Sequence, residues 1–210
     1  SIHYTFFVCN LLPITLLFAL ITPDLFASRG FHIEELDIQL NRTSFRKFKK
    51  GIVSSYSKVE SYDQDKTIPK QKLDMYVYGL HRRSCTMALP KISLYEKFKD
   101  YVDMIEISEY DEENGRINLV MNHSLLPFQM RLNFKLEKID RPGLYKFEFD
   151  KGFLKGLQGQ ILAKKYEGKC LLAARAKYDG KKSHISDSVM EVFTETLSRI
   201  TLERLIVVSR

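Results

Sequence analysis

The chain has 210 residues, with 33 lysines and arginines against 26 acidic residues and a formal net charge of +7. Hydrophobic residues make up 44% and charged residues 28%, which excludes a disordered chain, a collagen-like repeat and a multi-span membrane protein. Three cysteines exclude a disulfide-dense scaffold and a four-cysteine zinc site, and the length suits one domain with or without a targeting segment.

Residues 4–21 contain no Asp, Glu, Lys or Arg, and their apolar heart, 11–21, is followed by Thr22-Pro23-Asp24 and Leu25-Phe26-Ala27-Ser28. This is the pattern of a secretory signal with Ala27 just before the cut. No basic residue precedes the apolar run, and Asn10 and Pro13 make it a poor span of a hydrocarbon core roughly 30 Å thick. Residues 1–28 are therefore expected to be a signal peptide or an N-terminal anchor. The remainder is expected to be exported, periplasmic or secreted, or tethered to a membrane through that segment. A basic exported surface favours anionic lipid head groups, so contact with a membrane surface is an expected interaction. The tightest basic cluster is Arg46-Lys47-Phe48-Lys49-Lys50. No nucleic-acid motif accompanies it, and nucleic acid is not an expected partner.

Residues 29–72 read as an N-terminal extension of the domain. Residues 31–40 alternate weakly, 43–57 suggest a helix, and 61–71 are polar and read as a loop. From residue 73 the pattern becomes regular. A strand over 73–89 gives way at Pro90 to a short helical stretch, in which Leu94, Tyr95, Phe98, Tyr101 and Val102 recur at three- and four-residue spacing. Strands follow over 102–110 and 116–122, separated by the turn Asp111-Glu112-Glu113-Asn114-Gly115. Met130, Leu132, Phe134 and Leu136 then alternate with Arg131, Asn133, Lys135 and Glu137, the period of a strand with one buried face. Further strands are expected over 144–149, 160–166 and 170–178. Their short turns argue for an antiparallel meander. Ser188 to Glu191 has the form of a capping box. Val189, Met190, Phe193, Leu197, Ile200 and Val207 then fall on one face of a long helix, with Glu191, Glu195 and Arg199 outside. The expected class is α+β, a curved antiparallel sheet wrapped on one long C-terminal helix.

This order resembles the helix-grip fold of the START-like, SRPBCC superfamily, in its coenzyme Q-binding and polyketide cyclase branch. The resemblance is carried by Ala88-Leu89-Pro90 leading to Tyr95-Glu96-Lys97-Phe98, by the run from Phe149-Asp150-Lys151-Gly152 through Gly156 to Gly159, and by the closing residues 192–199. It covers residues 73–210, which it implies to be a START-like ligand-binding domain of about six or seven strands. Gln160 stands where that branch often has an aromatic. The resemblance implies a cavity between sheet and helix for a hydrophobic small molecule, a lipid or an isoprenoid quinone, which is bound and carried or chaperoned.

Cavity-lining candidates are Met130, Leu132, Phe134, Leu136, Phe147 and Phe149 from the sheet, and Met190, Phe193 and Leu197 from the helix. A methionine and several phenylalanines suit an adaptable apolar pocket, and equally an ordinary filled core. In a helix-grip sheet the first and last strands are antiparallel neighbours, which would bring Cys85 and Cys170 together as a disulfide or as two buried thiols. Lys151 and Lys155 are placed near the opening, where an anionic head group would sit. No cofactor is expected. The histidines are too far apart for a metal site, and no hydrolase elbow, phosphate loop or dinucleotide glycine pattern occurs. For an aromatase/cyclase-type enzyme the candidate acid-base groups are only His123 and Tyr178. A non-catalytic interaction module with a filled core is the other alternative.

Overall fold

A computed structural model describes residues 30–63, 68–122, 129–152 and 154–209. The segment read as a signal or anchor and His123 lie outside the described residues. Among the described residues, ten strands and four α-helices run in the order β1 (Phe31–Ile33), β2 (Ile38–Leu40), α1 (Arg42–Lys49), β3 (Ser54–Asp63), β4 (Pro69–His81), α2 (Cys85–Ile92), α3 (Phe98–Tyr101), β5 (Ile105–Asp111), β6 (Arg116–Met121), β7 (Met130–Leu136), β8 (Gly143–Gly152), β9 (Gln158–Tyr166), β10 (Lys169–Lys181) and α4 (Asp187–Val208).

Eight strands form one antiparallel sheet in the order β3-β4-β10-β9-β8-β7-β6-β5. Strands β5 to β10 are a plain meander, as their turn signals predict. At Glu167-Gly168 both residues have positive φ, +47° and +74°, joining Tyr166 to Lys169 across a two-residue hairpin turn. Such a turn matches the strand twist and favours glycine at its second position. The connection from β4 to β5 carries α2 and α3 from one side of the sheet to its far edge. Helix α4 lies across the inner face, packed on β3 and β4. Gly79 of β4 permits this approach, because a Cβ there would meet the Ile206 side chain at 2.9 Å and Val53 at 3.0 Å.

Two apolar cores result. The inner one fills the space between sheet and α4. The outer one seals β4, β9 and β10 from behind: Ile33, Leu36, Ile38, Leu40 and Phe48 of the β1–β2 hairpin and α1 cover Tyr78, Leu80, Leu162, Leu171 and Ala173. Helix α1 is capped by Asn41, whose Oδ1 accepts from Ser44 N at 2.9 Å. Cys85 and Cys170 form a disulfide with Cα atoms 4.6 Å apart, tying the start of α2 to the start of β10.

Several expected boundaries change. The helix expected over 43–57 ends at Lys49, and within the stretch expected to be a loop over 61–71, residues 61–63 end β3 and residues 69–71 begin β4. These strand ends are polar because α4 satisfies them. The Asp187 carboxylate accepts from Ser61 N at 2.7 Å, Ser61 Oγ at 2.6 Å and Gln71 Nε2 at 2.7 Å, and Gln71 is only 1% exposed. Strand β3 takes the sheet to eight strands. Strand β4 stops at His81, and Pro90 lies inside α2 rather than opening a helix. The cap of α4 is Ser186, two residues before the expected box, and its hydroxyl accepts from Val189 N. Val189 and Val207 are 48% and 50% exposed, whereas Glu191 faces β3 and accepts from Val59 N at 3.1 Å. The apolar face of α4 is thus rotated from the expected one.

Candidate ligand cavity

The pleat of the central strands sends alternate side chains to the inner face, so β4, β6, β7, β8, β9 and β10 all contribute to one concave apolar floor. Between that floor and α4 lies a cavity of about 280 Å³. Met75 and Val77 enter it from β4, Ile117, Leu119 and Met121 from β6, and Leu172, Ala174 and Ala176 from β10. Ile92 of α2, Phe98 of α3, and Leu154 and Leu157 of the β8–β9 connection add to the wall. Phe134 and Phe149 stack with ring centres 4.6 Å apart, and Phe147 meets Phe149 edge-on at 6.1 Å. The Phe147 ring needs Gly159 opposite it. A Cβ on Gly159 would lie 2.7 Å from that ring and 2.2 Å from Arg175 O.

Of the residues expected at the cavity, Leu132, Phe134, Leu136, Phe147, Phe149, Phe193 and Leu197 line it. Met130 and Met190 do not. They are 1% and 4% exposed and pack within the surrounding core, since an inward direction does not separate a wall residue from one at the packed rim. The lining residues missed by sequence reasoning come from strands, such as Met75 and Val77 of β4 and Ile117, Leu119 and Met121 of β6, and from helices, such as Ile92 and Phe98. Ala174 and Ala176 were legible only as alternation, and nothing local marks Met75 or Thr201 as facing a void.

Among the described residues the polar lining comes from α4: Thr194, Ser198 and Thr201. Thr194 Oγ1 donates to Met190 O at 2.8 Å and lies 2.7 Å from Ser57 Oγ of β3. No titratable side chain lines the cavity among the described residues, and Tyr178 instead donates to Lys181 O at 2.8 Å. Burial pushes the Tyr178 phenol upward, away from easy ionisation. No cluster of His, Cys, Asp and Glu among the described residues is arranged to hold a metal ion.

A wider hollow of about 680 Å³ lies on the opposite face of the sheet, beneath the turn at 34–37. It is open and lined by charged and amide side chains, among them Arg175, which is spent on Asp74 at 2.7 and 3.0 Å and on Asp37 O at 2.8 Å. Its chemistry is that of a solvated sheet face.

No family model and no curated protein matches the chain. Solved structures do. The Zhui aromatase/cyclase of a Streptomyces species superposes with a TM-score of 0.53 at 9% identity, over 67% of this chain and 93% of that one. The fold is START-like. A protein of Thermus thermophilus superposes at 0.50 with 14% identity, over 64% of this chain and 98% of its own. An uncharacterised Bacillus thuringiensis protein gives 0.50 and 14%, over 65% and 98%. The shared architecture is an antiparallel sheet gripping a C-terminal helix, and the cavity sits between the two.

Proposed function

We propose that the protein binds a hydrophobic small molecule, a lipid or an isoprenoid quinone, in the cavity between the sheet and α4, and carries or shields it without transforming it. The observation that carries this reading is the void itself: about 280 Å³ of space walled by hydrocarbon, where a filled-core interaction module would have side chains. Each Å² of apolar ligand surface removed from water there contributes roughly 25 cal/mol. A cyclase would need an acid-base group facing the ligand. Among the described residues the wall carries three hydroxyls instead.

Leu154, on the wall, stands between the exposed Lys151 and Lys155. These cations suit the anionic surface of a membrane. A location outside the cytosol accords with the Cys85–Cys170 disulfide. The test is native mass spectrometry of protein expressed from the full sequence, then organic extraction of what co-purifies. A lipid or quinone is expected, lost when Phe134 or Phe193 is replaced by Glu. Protein that arrives empty and takes up neither class when offered it overturns the reading.

A further inference from the structure

The polar side chains of the wall differ in what they have left to offer. Ser198 Oγ donates its proton to Glu195 O at 3.0 Å, so only its lone pairs face the cavity. Thr194 is already engaged with Met190 O and Ser57. Thr201 has no hydrogen-bond partner among the described residues, and its hydroxyl is an available donor. Ser198 and Thr201 are three residues apart, hence neighbours on one face of α4 with Cβ atoms about 5–6 Å apart. An acceptor and a donor thus stand side by side, at a spacing one ligand oxygen can bridge.

The rest of the wall restricts the ligand further. A carboxylate or phosphate drawn inside would be a buried charge without a counter-charge, which is strongly disfavoured. The volume equals on the order of ten water- or methylene-sized groups at about 30 Å³ each, which one chain of that length fills.

We infer that the cavity selects a neutral, single-chain or single-ring alcohol with on the order of ten carbons enclosed, its hydroxyl donating to Ser198 Oγ and accepting from Thr201 Oγ1. A longer chain leaves its remainder outside the mouth. This rests on the carrier reading and narrows its ligand class. A ketone satisfies Thr201 only, and an ionised acid is excluded by its charge.

Isothermal titration of the full chain at pH 8 with 1-decanol, 2-decanone and decanoate tests it, with the Ser198→Ala/Thr201→Val double variant alongside. Decanol is expected to bind about fivefold tighter than decanone, one uncharged hydrogen bond, and at least about a hundredfold tighter than decanoate. The double variant is expected to keep the parent's melting temperature and lose the preference for decanol over decanone. Should it unfold, Thr201→Val alone is expected to weaken decanol and decanone by about fivefold each. Decanoate binding as tightly as decanol, or a decanol preference that survives the substitutions, overturns the inference and leaves an apolar carrier standing. Failure of all three probes to bind overturns the carrier reading with it.

Discussion

At Gly159 a single hydrogen atom decides whether two strands and an aromatic ring fit together. Any side chain there meets Arg175 O of β10 at 2.2 Å and the Phe147 ring at 2.7 Å. Gly159→Ala is expected to cost about 1–3 kcal/mol of overpacking, read as a lower urea midpoint. It should also weaken ligand uptake, because Phe147 lines the cavity and must shift to make room. On the outer face, Arg116 grips Asp150 through two nitrogens at 2.8 and 2.6 Å. The Arg116 guanidinium holds the Asp150 carboxyl at about 2, below the ordinary carboxylate value of about 3.9. A carboxyl depressed in the folded state adds stability above its unfolded value, and that stability is lost as pH falls through the folded one. The stability difference between the parent protein and Arg116→Met is therefore expected to be constant above about pH 5, to shrink from about pH 4, and to be largely gone near pH 2. Urea melts at a series of pH values check this, and a difference that stays constant down to pH 2 would contradict the assignment.

Among the elements, α4 and β3 depend on each other. Strand β3 is an edge strand, and two of its free N–H groups, on Val59 and Ser61, are taken by Glu191 and Asp187, one helical turn apart on α4. These carboxylates cover an edge that would otherwise offer itself for pairing with another chain. The Ser61 hydroxyl, then Gln71, holds the Asp187 carboxyl below the usual range. Asp187→Ala is expected to cost about 1–3 kcal/mol by urea melting and to raise amide exchange at Ser61. The disulfide joins α2 to β10 across a sequence separation of 85 residues. Replacing both Cys85 and Cys170 by Ala is expected to lower stability by about 3–4 kcal/mol, since a loop of that length is released in the unfolded chain. An unchanged melting midpoint in the double variant would show that the bridge contributes nothing.

For the whole molecule, the segment before β3 acts as a cover. Without the β1–β2 hairpin and α1, the outward faces of Tyr78, Leu80, Leu162, Leu171 and Ala173 would be open to water. A chain shortened to start at residue 54 is expected to bind an apolar dye strongly and to self-associate, measured by dye fluorescence and light scattering. One shortened to start at residue 30 is expected to do neither. The boundary read at residue 73 falls inside β4, so a chain starting there would also lose β3 and the partners of Asp187.

Period-two alternation made β7 and β10 legible, because each has neighbours on both sides and must present one face to the inner core. The wall residues Leu132, Phe134 and Leu136 came from the same signal. Strand β3 was not legible, because Ser57, Ser61 and Gln71 meet their partners on α4, more than a hundred residues away in sequence. The facing of α4 was hidden for the same reason: Glu191, Thr194 and Ser198 point inward to a strand edge and a cavity, and so blur the apolar stripe. Local periodicity is a property of neighbouring residues, and it determined the strands of the meander, the long closing helix and the α+β class. Only the tertiary structure decided that the space between them stays open and that, among the described residues, its polar lining is three hydroxyls of α4. A void arises from how far apart packed elements are held, which no local pattern encodes.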